Sequence, residues 1–314
     1  MRNHVAGLAL VVGAWGCSGG GGGGGGGDSV TAAQACDATA EALCGLYQRC
    51  MPWVISLQFG DLTTCQARSK LGCEDSFSAN GTTATPAQTK ACAEAYGSAA
   101  CADMFSAEPP QACKDMPAGT LANGAQCGSG EQCQSERCKE SSTSTCGTCV
   151  APVTAGGSCA NNEPCNDGLT CAPNATCVAP GAAGATCGNN SPCKDPLVCR
   201  GGTCGARVAA GAACQPDIQD CDLTGADWLS CDQQTNTCKV IALVGSGQTC
   251  GLVNNAYVMC AARGGCQASA GSTTGTCRAA AADGAACDEN NGIYCMSPAR
   301  CISGTCQLSN NQCG

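Results

Sequence analysis

The chain has 314 residues, of which 35 are cysteine and 44 glycine, while only 3% are aromatic and 12% charged. Cysteine above roughly 8–10% marks a disulfide scaffold, and the charged share is about half the usual quarter. The long apolar strands and helices of a barrel or doubly wound α/β enzyme are missing. A formal net charge of −9, from 15 basic and 24 acidic side chains, argues against binding to nucleic acid or anionic lipid, both of which need clustered cations. The expected fold class is small disulfide-rich: a short α-helical module followed by tandem, loop-rich β-hairpin cysteine repeats.

Arg2 and His4 precede an apolar run from Val5 to Trp15. Such a run falls short of the roughly 20 residues a membrane-spanning helix needs. It suits the hydrophobic part of a signal peptide, so residues 1–16 are read as one. Cys17 and Ser18 lead into nine glycines, Gly19 to Gly27. Residues 17–28 therefore read as a cysteine and a flexible tether, whose nine-glycine run has an r.m.s. span of about 17 Å. Beyond Cys17 lie 34 cysteines, 8 between Cys36 and Cys113 and 26 between Cys127 and Cys313. Both groups are even, so Cys17 is the odd one, and an odd cysteine in an exported chain needs its own explanation.

The stretch Ala14-Trp15-Gly16-Cys17 resembles the lipobox of bacterial lipoproteins. That resemblance implies removal of residues 1–16, acylation of Cys17 and attachment to the cell envelope, in the outer membrane facing outward. If an ordinary signal peptidase cuts here instead, Cys17 stays a free thiol and the protein is secreted.

Residues 29–117 carry Tyr47, Trp53, Phe59, Phe77, Tyr96 and Phe105, the main aromatic material of the chain. Cys36, Ala40, Leu43, Cys44, Tyr47, Cys50 and Met51 recur at helical spacing. Leu62, Cys65, Ser69 and Cys73 do the same behind Asp61, a candidate N-cap. Thr85-Pro86-Ala87-Gln88 has the form of a capping box with proline at the first helical position. The helix it opens carries Cys92 and is expected to run toward Cys101, and Pro109-Pro110 should end helical structure before Cys113. The module is read as three or four short helices held by four disulfides.

Residues 118–313 are periodic. A glycine stands three positions before the first cysteine of each unit: Gly124, Gly156, Gly184, Gly211, Gly247 and Gly284. A threonine directly precedes each closing cysteine. The six quartets are Cys127, Cys133, Cys138 and Cys149; Cys159, Cys165, Cys171 and Cys177; Cys187, Cys193, Cys199 and Cys204; Cys214, Cys221, Cys231 and Cys238; Cys250, Cys260, Cys266 and Cys277; and Cys287, Cys295, Cys301 and Cys306. With only Trp228, Tyr257 and Tyr294 as aromatics, these units should be ordered by disulfides rather than apolar burial. Asn161-Asn162, Asn189-Asn190 and Asn290-Asn291 mark turns, and the Thr-Cys endings suit short closing strands. Four cysteines allow three pairings; first-to-third with second-to-fourth is expected. Cys146 and Cys313 are left over, to bond each other or to adjust their local units. The units are expected to form a rod-like array.

The first unit, C-x5-C-x4-C-x7-C-x2-C from Cys127 through Cys146 to Cys149, resembles the start of Dickkopf-type N-terminal cysteine-rich domains, and the later units resemble EGF-like modules. The resemblance implies an extracellular interaction scaffold.

The chain's one histidine, His4, sits in the expected signal peptide. This removes histidine-dependent nucleophiles, general bases and zinc sites from the mature chain. Cys146-Gly147-Thr148-Cys149 is the lone C-x-x-C, read as structural rather than redox-active or metal-binding. The acid groups at Asp217, Asp220 and Asp222 and from Asp288 to Asn291 could attract calcium, but read better as turn formers. Asn80-Gly81-Thr82 and Asn174-Ala175-Thr176 match a glycosylation pattern that matters only in a eukaryotic host. No catalytic, cofactor-binding or metal-binding residue is expected. The expected role is non-catalytic: binding, adhesion or spacing by a lipid-anchored protein whose partner is a protein or glycan at the cell surface. The alternatives are a secreted disulfide-rich inhibitor and, third, a carboxylate-dependent hydrolase.

Overall fold

The computed structural model describes residues 30–105, 109–141, 143–161, 163–308 and 313. The expected signal peptide, Cys17 and the glycine run lie outside the described residues.

Among the described residues, six α-helices build the N-terminal part. α1 (Ala32–Cys50) starts in a capping box, with Thr31 Oγ1 accepting from the Gln34 N–H and Gln34 Oε1 accepting from the Thr31 N–H. Its buried face includes Cys36, Ala40, Leu43, Cys44, Tyr47 and Cys50, the residues whose spacing announced it. Pro52 cannot extend α1, because it has no N–H, and instead occupies the first turn of α2 (Pro52–Gln58). α3 (Leu62–Ser69) is capped by Asp61, which accepts from the Thr64 N–H at 2.7 Å. The one-turn α4 (Cys73–Ser76) follows Gly72, whose φ is +76°. α5 (Pro86–Gly97) begins at Thr85, and α6 (Gln111–Lys114) follows Pro110.

Three expectations need correction here, the first being the count, six α-helices among the described residues rather than three or four. α5 stops at Gly97, and Cys101 belongs to a separate 3₁₀ turn, Cys101–Phe105. The Arg49 guanidinium explains the break, donating to Gly97 O at 3.1 Å and Ala99 O at 2.7 Å and tying the end of α5 to α1. Helical structure also resumes after Pro109-Pro110, since proline blocks the continuation of a helix but not its start. Four disulfides staple the part together: Cys36–Cys73, Cys44–Cys65, Cys50–Cys101 and Cys92–Cys113.

The six repeats share one backbone plan. In every unit the first cysteine bonds the third and the second bonds the fourth, as in Cys127–Cys138 with Cys133–Cys149 and Cys287–Cys301 with Cys295–Cys306. This is the pairing expected. The third and fourth cysteines face each other across a short antiparallel hairpin, for example Cys231 opposite Cys238.

The marker glycines have a backbone cause. All six have φ between +77° and +91°. Each occupies the third position of a four-residue turn, closed in the first unit by Ala125 N–H to Ala122 O at 3.0 Å, as type II turns require. The glycine N–H then donates to the carbonyl of the closing cysteine (Gly124 to Cys149 O, Gly211 to Cys238 O, both 2.8 Å). The closing cysteine N–H returns to the residue after the glycine, as from Cys149 to Ala125 O at 2.9 Å. Nothing lies within 4 Å of a Cβ added at any of these glycines. The demand is therefore for φ alone. A third repeated position escaped the sequence reading: Leu121, Val153, Gly181, Val208, Val244 and Ala281 each pair in parallel with the second cysteine of their unit.

The units do not form a rod. Units four to six fold back onto α2 and α3, and unit six meets unit one. Trp228 of unit four stacks on Trp53 of α2 with ring centroids 5.3 Å apart and planes at 12°. Trp53, 3% exposed, also donates its Nε1–H to Leu223 O at 3.0 Å, and Leu223 and Leu243 complete the core around Leu46, Val54, Ile55 and Phe59. In unit five, Ala262 and Arg263 (φ +51° and +54°) aim their N–H groups at Ser56 O and Leu57 O at 2.8 and 2.7 Å. They thereby satisfy carbonyls that the end of α2 leaves orphaned. From unit six, Met296 O, Ser297 O and Asp283 all receive Arg68 of α3. Unit one is tied to the loop before α5 by Thr120 N–H to Gly81 O at 2.9 Å and Gln132 Nε2–H to Asn80 O at 2.7 Å. Cys146–Cys313 and Arg300–Glu140 close the path between the last unit and the first. Apolar burial thus does help place the repeats, because one tryptophan from the array meets one from the helices.

Trp53→Ala should lower unfolding free energy by about 3–5 kcal/mol, as removal of a buried aromatic does. Near-UV circular dichroism should lose the paired-tryptophan signal while all disulfides still form. Gly211→Ala should cost about 1 kcal/mol through the left-handed backbone alone; denaturant midpoints measure both.

Candidate functional site

The described cysteines offer no thiolate. All thirty-four from Cys36 to Cys313 are disulfide-bonded. The C-x-x-C divides its bonds between distant partners, Cys149 joining Cys133 and Cys146 joining Cys313. Within a unit the two bridges lie side by side, so that Cys214, Cys221 and Cys238 bring their sulfurs, with a carboxylate oxygen of Asp220, within 4.8 Å of one another. Oxidised sulfur is not the thiolate ligand that zinc requires.

The acidic clusters singled out in the sequence hold turns and joints. Asp220 is fully buried and accepts from Arg200 Nε at 3.1 Å and from the Gln215 N–H with both oxygens. It thus joins unit three to unit four. Asp222 accepts from the N–H and hydroxyl of Thr224, Asp288 accepts from Asn291 Nδ2 at 2.6 Å, and Asp217 is exposed. Beside this joint, burial pushes the Asp195 carboxyl up, partly offset by the Arg207 guanidinium, whose own pKa burial lowers.

Cavities among the described residues include two of similar size. One of 310 Å³ lies between units one and two, lined by Arg137, Cys138, Lys139, Glu140 and Pro164. The other, of 350 Å³, lies on the helical part among Leu46, Ala95, Tyr96, Ala99, Asp103, Met104 and Pro110. Each contains one carboxylate, Glu140 or Asp103, where glycoside hydrolysis uses a facing pair.

In unit five, Thr249–Val253 pairs with Ala256–Cys260 in a hairpin with an exposed tip, inside a five-stranded sheet. Asn254 and Asn255, with φ of +49° and +60°, make its two-residue tip, the conformation that matches strand twist. Tyr257 is 42% exposed and stands directly opposite Leu252. Val240, close by in sequence at the end of unit four, is also exposed. The sequence reading did not assign this hairpin. The readable signal was Asn-Asn between apolar residues.

Two positions of the docking surface combine geometry with charge. Arg68 grips Asp283 through both terminal nitrogens at 2.6 and 2.8 Å, and Nε donates to Ser297 O at 2.6 Å. The Arg68 hydrogen bond holds the Asp283 carboxyl below the usual carboxylate range.

Comparison with protein-family models, with curated proteins and with solved structures finds no match for the chain. Its class rests on its own architecture: a disulfide-rich protein with a short helical N-terminal part and many small antiparallel strand pairs, carrying seventeen bridges. Among the described residues, no helix is long and apolar enough to cross a membrane.

Because the folded pKa of Asp283 is depressed, its contribution is present above the unfolded value of about 3.9 and is lost as pH falls through the folded value. The denaturant midpoint of the protein should therefore drop as pH is lowered from about 4. Asp283→Asn should start from a lower midpoint at neutral pH and show a shallower acid decline.

Proposed function

We propose that the protein is a non-catalytic, envelope-anchored lipoprotein, held by acyl-Cys17 and a glycine tether, that presents a rigid cysteine-stapled body for binding at the cell surface. One observation carries this reading. Every cysteine from Cys36 onward has a partner within the chain, so no described cysteine is left to pair with Cys17. Acylation gives that residue a use. Seventeen bridges also suit an oxidising compartment outside the cytoplasm, where disulfides persist.

The body favours recognition over chemistry in how it presents its surface. Its unit-five hairpin sets Tyr257 opposite Leu252 at one end of a five-stranded sheet. An aromatic side chain with a polar tip costs little conformational entropy when it is ordered in a contact. The partner would be a protein or a glycan, met by an apolar and amide-bearing tip rather than by a basic patch.

Cys17→Ser tests the anchor. In the producing bacterium the wild type should partition with the membrane fraction and incorporate labelled fatty acid, while the variant should do neither. An intact mass showing unmodified Cys17 in a soluble wild type would refute the proposal. Protease added to whole cells should clip the body if it faces outward.

A further inference from the structure

Each repeat is followed by a short link, and the links differ in what their residues hold. Between units one and two the chain runs Val150-Ala151-Pro152-Val153, and between units two and three Val178-Ala179-Pro180-Gly181. Val150 and Val178 still belong to the hairpins behind them, Val150 N–H donating to Arg137 O at 3.0 Å and Val178 pairing with Thr170. Val153 and Gly181 already belong to the next unit, donating to Pro164 O at 2.7 Å and Pro192 O at 2.8 Å. That leaves Ala-Pro alone as the joint in both places. In the third link Arg207 stands where the prolines stand. It donates from Nε to Pro196 O of unit three at 3.0 Å and from Nη1 to Gln219 O of unit four.

Unit three is thus locked to unit four, and Arg200 adds bonds to Asp220 at 3.1 Å and Ala213 O at 3.0 Å. Unit one is fixed on its far side to Gly81 and Asn80. Unit two has no such hold. Among the described residues, no hydrogen bond, ion pair or disulfide joins it to unit three, to the helices or to units four to six. Besides the chain itself, two ion pairs tie it to unit one: Arg137 with Asp167, and Lys139 with Glu163 at 3.3 Å. We propose that unit two is a hinged jaw that swings on its two Ala-Pro links, held shut against unit one by these ion pairs at low salt and released as salt rises.

The pairs are of the kind that salt controls. Asp167 is 89% exposed, and Lys139 and Glu163 are 34% and 28% exposed. Exposed pairs bias an equilibrium by no more than about fivefold each, so two hold the jaw shut by at most about 25-fold. The Debye length shrinks from about 30 Å at 0.01 M salt to about 3 Å at 1 M, which removes most of that bias. The Asn161 N–H donates to Glu163 Oε2 at 2.7 Å and holds this carboxyl below its usual range, so its charge is in place at neutral pH.

The motion is bounded. Cys159–Cys171 and Cys165–Cys177 keep unit two itself intact. Proline fixes one backbone torsion in each link, so the swing uses the few that remain. With units one and three anchored, unit two turns about the line that joins its links. The 310 Å³ cavity lies on this joint, with Arg137, Cys138, Lys139 and Glu140 on the unit-one side and Pro164 on the unit-two side. Opening the jaw widens it and takes the acidic partners away from Arg137 and Lys139. Units four to six, which carry the Tyr257 hairpin, stay docked through Trp53 and Arg68.

Backbone residual dipolar couplings of the isotope-labelled full chain, aligned sterically in a stretched polyacrylamide gel, test the swing unit by unit. At about 0.01 M salt all six units should fit one common alignment. At about 1 M salt the alignment fitted to unit two should fall about twofold while the other five keep theirs. Unit two holding the common alignment at high salt overturns the proposal, and so does averaging already complete at low salt or shared equally by unit three. Glu163→Gln/Asp167→Asn removes both acidic partners without touching a disulfide. At low salt it should reproduce the twofold loss in unit two, and a wild-type alignment there overturns the role of the ion pairs. The salt series on the wild type decides the matter even if the variant fails to fold.

Discussion

Each repeat depends on two disulfides crossing a hairpin whose third and fourth cysteines stand opposite one another. A hairpin alone is marginal in water, and a unit of about thirty residues is too small to bury an adequate core. Two bridges contribute on the order of 6 kcal/mol through the unfolded state, comparable with the whole stability of a small domain. The first-to-third bridge ties the start of the unit to the hairpin's first strand, and the second-to-fourth bridge ties the second cysteine to the closing strand. The glycine turn can then deliver its N–H to the closing cysteine carbonyl in every unit.

That local solution leaves the arrangement of units open, and a second interaction settles it. Trp53 and Trp228 place two of the largest apolar surfaces in the chain against each other, with Leu223 O satisfying the indole N–H. An aromatic side chain buries on the order of 150–250 Å², a large quantity in a protein with so few of them. Around this contact, α2 receives the Ala262 and Arg263 N–H groups at its end and α3 receives unit six through Arg68. Polar groups at helix ends and turns are thereby satisfied between elements far apart in sequence.

The described cysteines are all disulfide-bonded, and three of the carboxylates, Asp220, Asp222 and Asp283, hold turns and joints. What the body presents is shape: an exposed hairpin tip with Tyr257 on a covalently braced frame.

Much of this was legible in the residues. The glycine three before each first cysteine and the threonine before each last marked the repeats, because left-handed φ and extended backbone are demands on single positions. Asp61 and Thr85 announced their helices for the same reason, since a cap is a contact between near neighbours. The even count beyond Cys17 anticipated complete pairing. By contrast, the fold-back of the array, the choice of a Cys146–Cys313 bond over separate local adjustments and the use of Trp228 as a docking residue came only with the tertiary structure. Each joins groups more than a hundred residues apart, and no local periodicity records which distant surface a side chain will meet. The chain alone determined how each unit closes; only packing decided that the units close on one another.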